Sequence, residues 1–315
     1  MSKPLSQIRM RDPFIVETAS RYYLYGTTDE NLWGGPATGF DYYTSVDFES
    51  WDGPFPAFRP PAGFWSDTQY WAPEVHEYRG GWYMLATFAT SNPAAKVRGT
   101  AVLRADSPTG PFEPYSDGPV TPRELPCLDG TLYVDDLVNP WIVYSRGAEG
   151  SPTAPGIANG EMYARQLSPD LREAAGEPIL LFKSSSAPWS RPLWFPPGVE
   201  PPEELGLAKD PLFTDGAFLV RSGAGPLHLM WSAFGEEGYA IGVATSATGS
   251  IDGPWTQREV PLWAKNGGHG MILRRTDGQD LLVFHAPNET PNERVFTAKV
   301  TITEEGIQLA DSPLI

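Results

Sequence analysis

The chain has 315 residues with 39 acidic against 23 basic side chains, a formal charge of −16, so its surface repels polyanions and nucleic acid is excluded as a partner. Hydrophobic residues make up 41%, enough for a sizeable core, yet no apolar run reaches the roughly 20 residues that span a bilayer. A single cysteine, Cys127, leaves no internal disulfide and no Cys-based zinc site, and the first residues carry a lysine but no apolar h-region, so the expected compartment is the cytoplasm.

Taken in chain order, the predicted elements repeat. Five segments open with Asp12-Pro-Phe-Ile-Val, Ala72-Pro-Glu-Val-His, Asp129-Gly-Thr-Leu-Tyr, Asp215-Gly-Ala-Phe-Leu and His269-Gly-Met-Ile-Leu. About a dozen residues after each comes a second apolar run: Tyr22-Tyr-Leu-Tyr, Trp82-Tyr-Met-Leu, Trp141-Ile-Val-Tyr, Leu227-His-Leu-Met-Trp and Leu281-Leu-Val-Phe-His. Turn signals such as Arg79-Gly-Gly and Thr276-Asp-Gly-Gln separate the two, so each unit begins as a β-hairpin. A second signature, an apolar strand followed by small polar residues and Gly-Pro-aromatic, recurs near Asp52-Gly-Pro-Phe, Ser107-Pro-Thr-Gly-Pro-Phe and Thr248-Gly-Ser-Ile-Asp-Gly-Pro-Trp. Two signatures in phase predict an all-β, five-bladed β-propeller over residues 1–315 as one domain. The longest gap between units contains Ser186-Ala-Pro-Trp-Ser-Arg-Pro-Leu-Trp-Phe-Pro-Pro-Gly, too proline-rich for a central strand, and reads as an excursion on the rim with a short helix at 202–207. No segment near the N-terminus supplies a strand to the last blade, so ring closure is not legible.

In a propeller the innermost strand of each blade borders one channel, so residues at the same place in each repeat meet in space. The repeats therefore converge Asp12, Asp129, Asp215 and His269 on one axis. A turn aspartate would recur in all five units, but Ala72 and His269 stand in two of them, which favours chemistry over structure. Carboxylates gathered in a channel repel one another, and at least one is expected to hold its proton near neutral pH, as acid/base hydrolysis requires. His76 and His228 read as satisfied core residues, His285 as a supporting one, and Glu74 as structural.

Arg11-Asp-Pro-Phe, Trp71-Ala-Pro-Glu-Val, Leu128-Asp-Gly-Thr-Leu-Tyr-Val-Asp-Asp, Gly267-Gly-His-Gly and Ser-Pro-Thr-Gly-Pro-Phe, in this order and on these blades, resemble glycoside hydrolase family 43. The resemblance covers nearly the whole chain. It implies a five-bladed inverting glycosidase acting on an oligosaccharide or glycoside, with no organic cofactor and no membrane partner. By position Asp12 matches the general base, Asp129 the carboxylate that tunes the acid, and Asp215 the general acid, although the family usually has Glu-Gly-Pro where this chain has Asp-Gly-Ala. Glu204 is the alternative acid. His269 matches a channel histidine that helps hold calcium or another ion. For the sugar pocket the candidates are Trp71, Trp33, Phe14, Tyr70, Trp189 and Arg294. The resemblance makes an exo-acting α-L-arabinofuranosidase the first expectation, with β-D-xylosidase, β-D-galactofuranosidase and a carbohydrate-binding propeller without catalysis as alternatives.

Overall fold

The computed structural model describes residues 2–310 except 93, 95, 152, 153 and 194–205. Glu204 and most of the helix expected at 202–207 lie outside the described residues. The rest forms five four-stranded antiparallel sheets, each from consecutive strands, in a five-bladed propeller with no α-helix among the described residues. Blade one is β1 (Arg11–Glu17), β2 (Tyr22–Thr27), β3 (Phe40–Ser45) and β4 (Asp52–Phe58). Blade two is β5 (Thr68–Tyr78), β6 (Gly81–Ala89), β7 (Arg98–Ala105) and β8 (Glu113–Pro119). Blade three is β9 (Cys127–Val134), β10 (Pro140–Arg146), β11 (Glu161–Gln166) and β12 (Ile179–Lys183). Blade four is β13 (Asp215–Arg221), β14 (Leu227–Gly235), β15 (Gly238–Ser246) and β16 (Trp255–Gln257), and blade five is β17 (Gly268–Arg274), β18 (Asp280–Ala286), β19 (Arg294–Thr303) and β20 (Gly306–Leu309). Innermost strands β1, β5, β9, β13 and β17 pack side by side around the axis. The three Gly-Pro-aromatic signatures share a cis peptide, at Gly53-Pro54, Gly110-Pro111 and Gly253-Pro254.

Each face of a central strand is covered by the neighbouring blade, and the core is therefore divided among the junctions. One cluster of buried apolar side chains fills each of them, for example Ile15, Leu24, Met271 and Val283 between blades one and five, and Met162, Phe182, Leu229 and Trp231 between three and four. Burying each such side chain is worth about 1.5–3 kcal/mol, so no junction can open without losing a local core. Ring closure needs no shared strand. The segment before β1 bridges Lys3 to Trp51 and Arg9 to Arg294, tying the outer edge of blade one to β19 of blade five.

Candidate active site

Every innermost strand carries a two-residue bulge, since pairing with the second strand skips from Arg11 to Phe14, Trp71 to Glu74, Leu128 to Thr131, Asp215 to Phe218 and Gly268 to Met271. The first bulge residue has positive φ in all five blades: Asp12 51°, Ala72 46°, Asp129 54°, Gly216 48° and His269 52°. For the non-glycine residues this conformation costs on the order of 1 kcal/mol or more, so something must hold it. The holder is the second strand of the preceding blade. Ala72 N–H donates to Thr27 Oγ1 (2.8 Å), Asp129 N–H to Thr87 Oγ1 (2.8 Å) and His269 N–H to Ser232 Oγ (2.9 Å). Asp12 N–H donates to His285 Nδ1 (3.1 Å), which carries the pattern from blade five back to blade one. The remaining junction differs: Ser145 donates to the Thr214 carbonyl, and Gly216 N–H turns to Asp215 Oδ1 (3.0 Å).

This corrects the sequence alignment of blade four. Gly216, not Asp215, occupies the place of Asp12 and Asp129, because a Cβ at 216 would stand 2.9 Å from His269 Cγ. Asp215 instead matches Arg11, Trp71, Leu128 and Gly268, and enters the channel from one residue earlier.

The structure nonetheless brings Asp12, Asp129, Asp215 and His269 together. His269 Nδ1 lies 3.2 Å from Asp12 Oδ1 and 3.5 Å from Asp129 Oδ2. Thr27 donates to Asp12 Oδ2 (2.6 Å), Thr87 to Asp129 Oδ1 (3.2 Å), and Tyr239 to Asp215 Oδ2 (2.8 Å). Asp12 and Asp129 are buried, whereas Asp215 is partly exposed. Burial alone would raise the carboxyl of Asp12, but the His269 ring and then the Arg11 guanidinium outweigh it and hold Asp12 well below the usual carboxylate range. Asp215 moves the other way. Burial first, then the charge of Asp129 and a hydrogen bond with it, push Asp215 well above its ordinary value, against the pull of His269 and Tyr239. Asp129 is pushed up to about 6 by burial and by Asp12, with its bonds to Asp215 and Thr87 acting in opposition. Burial disfavours the His269 imidazolium, yet Asp12, then Asp215 and Glu74, raise its pKa. The channel thus favours the ionised form of Asp12 and the protonated form of Asp215.

Asp129, Asp215 and His269 offer ligand atoms within 4.8 Å of one another, a set that could enclose a metal ion. His269, expected to help hold an ion, is part of this set, and its Nδ1 faces Asp12 and Asp129.

Two pocket candidates reach the rim. Trp33, 60% exposed, meets Trp71 edge-on at 6.0 Å, and the Arg11 guanidinium lies 5.0 Å from the Trp33 ring. Three others are corrected to core. Phe14 is buried against His76 and Phe218, Tyr70 sits among Phe40, Phe58 and Phe88 with its hydroxyl on the Ser66 carbonyl, and Trp189 packs on Trp231. Their rings fill blade junctions, where apolar area is removed from water. Arg294 commits Nη1 to the carbonyls of Pro291 and Glu293, bracing the β18–β19 turn. Glu74 pairs with His76 (3.1 Å), and His228 is satisfied by Thr245 and the Thr303 carbonyl.

Sequence reasoning missed Arg11, Tyr239 and the acceptor ring. Arg11 is anchored by buried Glu293 at 2.9 Å. The ring had a readable signal: Thr27, Thr87, Ser145, Ser232 and His285 all lie at the end of the second apolar run of their repeats or within two residues after it. Tyr239 had none.

The profile of glycosyl hydrolases family 43 matches residues 1–308. Among solved structures, the chain is similar to an endo-arabinase from Bacteroides thetaiotaomicron VPI-5482, at 36% identity over 96% of this chain and 97% of that one, with a TM-score of 0.81. It shares its fold with an α-L-arabinofuranosidase from Lactobacillus brevis (17% identity, 96% and 94% of the chains, TM-score 0.68). It does so too with a xylan β-1,4-xylosidase from Bacillus halodurans C-125 (19%, 99% and 57%, TM-score 0.68). No curated protein matches the chain. A five-bladed ring whose bulges deliver carboxylates to one channel, matched by the family profile almost end to end, makes this chain a glycosidase that belongs to glycosyl hydrolases family 43.

Proposed function

We propose that the protein hydrolyses α-L-arabinofuranosidic bonds from a chain end with inversion of configuration, using Asp12 as general base, Asp215 as general acid and Asp129 as the group that keeps Asp215 protonated. The observation that carries the reading is the convergence of Asp12, Asp129 and Asp215 around His269 in one channel, where the surroundings push Asp12 down and Asp215 up from the ordinary carboxyl value. Asp12 takes a proton from water as the water oxygen bonds to the anomeric carbon. Asp215 gives its proton to the glycosidic oxygen as the bond from that carbon breaks. Asp12 leaves the cycle protonated and Asp215 ionised, and exchange with solvent through partly exposed Asp215 resets them. His269 balances the negative charge of Asp12 at 3.2 Å. An aspartate in place of glutamate shortens the acid by one methylene.

Support for the arabinosyl substrate comes from the 36%-identical relative described as an endo-arabinase. The xylosidase of the same fold favours β-D-xylosyl bonds as the second reading, and nitrophenyl arabinofuranoside, xyloside and galactofuranoside assayed side by side separate the candidates. For the reaction itself, NMR of the first-formed sugar is expected to show inversion, and Asp12→Ala to lose about a thousandfold in kcat. Retention of configuration, or full activity of Asp12→Ala, rejects the scheme. Absence of turnover on every glycoside leaves a binding propeller.

A further inference from the structure

We infer that a second site, on the outer wall between blades two and three and away from the channel, binds a neutral glycan chain through arginines and carboxylates that the fold keeps from pairing with one another. Its own lining sets its ligand, independently of the reaction in the channel.

The site is a cavity of about 760 Å³ between β8, the outermost strand of blade two, and the β11–β12 turn of blade three. None of Asp12, Asp129, Asp215 and His269 lines it. The volume falls within the roughly 300–1,000 Å³ of ligand pockets, enough for about two or three sugar rings. Arg123, Arg165 and Arg172 enter it together with Asp117, Glu173 and Glu177. With both signs on one wall, ion pairs would be expected, yet none of the three arginines forms one with a carboxylate among the described residues. Each guanidinium is held by something else. Arg123 donates Nη2 to the Asp117 carbonyl across Gly118, where a Cβ would stand 2.6 Å from that nitrogen. Arg165 donates Nε to the Gly176 carbonyl (2.7 Å), and Arg172 lies 4.6 Å from the centre of the Tyr115 ring, itself edge-on to Tyr83. The remaining guanidinium nitrogens make no hydrogen bond among the described residues, and neither do the carboxylate oxygens of Asp117, Glu173 and Glu177, which are exposed.

Such a wall offers fixed donors beside open acceptors. A sugar hydroxyl is donor and acceptor at once, so a glycan uses both, and neighbouring hydroxyls of a ring match the paired N–H groups of a guanidinium. Because the guanidinium groups are already held, little of their rotamer freedom is lost on binding. An anion would gain from three arginines but lose against at least as many carboxylates, and the chain's charge of −16 adds to that repulsion. A peptide adding as a further strand is also disfavoured, since β8 carries Pro114 and Pro119 and pairs irregularly with β7. Attachment at the outer wall keeps the enzyme on a polymer while the channel engages a chain end, which raises the effective concentration of ends.

Native electrophoresis in gels containing soluble arabinan, xylan or polygalacturonate reads the site, with mobility scaled to a polysaccharide-free gel. Wild type is expected to be retarded by a neutral polymer, and Arg172→Gln and Glu177→Gln each to bind it about three- to tenfold more weakly, what one hydrogen bond contributes. An anionic ligand would instead be held more tightly by Glu177→Gln and less tightly by Arg172→Gln, with retardation by polygalacturonate, and that pattern overturns the neutral-glycan site. No retardation by either neutral polymer overturns it too, as does wild-type retardation of the double variant Arg172→Gln/Glu177→Gln, which would leave all binding to the channel. Melting temperatures equal to wild type show that the variants fold, and both are expected to keep the wild-type rate on a nitrophenyl glycoside. If no glycoside is cleaved, the hydrolase reading fails while the retardation still decides the site.

Discussion

At the scale of single residues, catalysis depends on Asp12 being charged while Asp215 is not, and the surroundings of each fix the limits in pH. Asp12 is held below its ordinary value, so activity is present above that lowered pKa and is lost only as the pH falls through it. Asp215 is held above its ordinary value, so activity is lost as the pH rises through the raised pKa. A kcat/KM profile is accordingly expected to stay flat from acidic to neutral pH and to fall on the alkaline side; a peak confined near pH 4 would contradict the assignment. Tyr239 gives a sharper check. Its hydroxyl donates to Asp215 Oδ2 at 2.8 Å, which favours the carboxylate form and fixes the side chain. Tyr239→Phe removes both effects. The alkaline limb is expected to move to higher pH while kcat drops about tenfold, since a misplaced acid reacts from fewer productive geometries. A purely structural tyrosine would change the amount of folded enzyme and leave the limb where it was.

At the scale of the strand, the bulge is the unit that turns a repeated sequence into a site, and its backbone explains what could and could not be read in advance. The hairpins, the five blades and the approach of Asp12, Asp129 and His269 were legible because strand periodicity and repeat spacing are written in apolar residues and glycines. The phase of blade four was not. Asp129-Gly130 and Asp215-Gly216 are the same dipeptide, yet the left-handed residue is the aspartate in one and the glycine in the other. The difference is set by His269, which fills the space where a side chain at 216 would go, a contact between blades that no local pattern contains. Phe14, Tyr70 and Trp189 were misread for a related reason: an aromatic beside a site and an aromatic in a blade junction look alike in one dimension. Opposed substitutions test this account. Gly216→Ala imposes a left-handed alanine and a 2.9 Å approach to His269, and should destabilise by about 1–3 kcal/mol with loss of activity. Ala72→Gly relaxes a residue already at 46°, so its entropy cost is offset and stability should stay within about 1 kcal/mol of wild type. Thermal denaturation of the two variants reads the contrast, and equal losses would show that the backbone conformation is not what matters.

For the molecule as a whole, the question is how a ring of consecutive sheets stays shut when, among the described residues, no strand crosses from one end of the chain to the other. Beyond the shared apolar core, three of the contacts that bind blade five to blade one bear on closure: the Arg9–Arg294 bridge, the Arg11–Glu293 ion pair and the Asp12 N–H bond to His285 Nδ1. The third is sensitive to protons, because His285 accepts only through an unprotonated nitrogen. It is fully buried, and burial, then the nearby Arg11, push its pKa down to about 3 from the 6.5 of an ordinary histidine. Between these values the unfolded chain binds a proton that the folded ring refuses, so stability rises with pH there. The contribution is complete above about pH 6.5 and is lost as the pH falls toward 3, with a slope of up to about 1.4 kcal/mol per pH unit. Asp129 acts in the opposite sense, since its raised pKa makes the folded state the better proton binder up to about 6, and the wild-type curve sums these with the other shifted groups, Asp12, Asp215 and His269 among them. His285→Asn separates them by keeping a side-chain acceptor and removing the titration. Unfolding free energies of wild type and variant, measured by denaturant from pH 4 to 8, should differ by a constant above about 6.5, and below it the wild type should lose its advantage steadily as acid is added. A difference independent of pH would mean that His285 does not close the ring as a neutral acceptor. A difference confined to the alkaline side would place the proton-sensitive latch elsewhere.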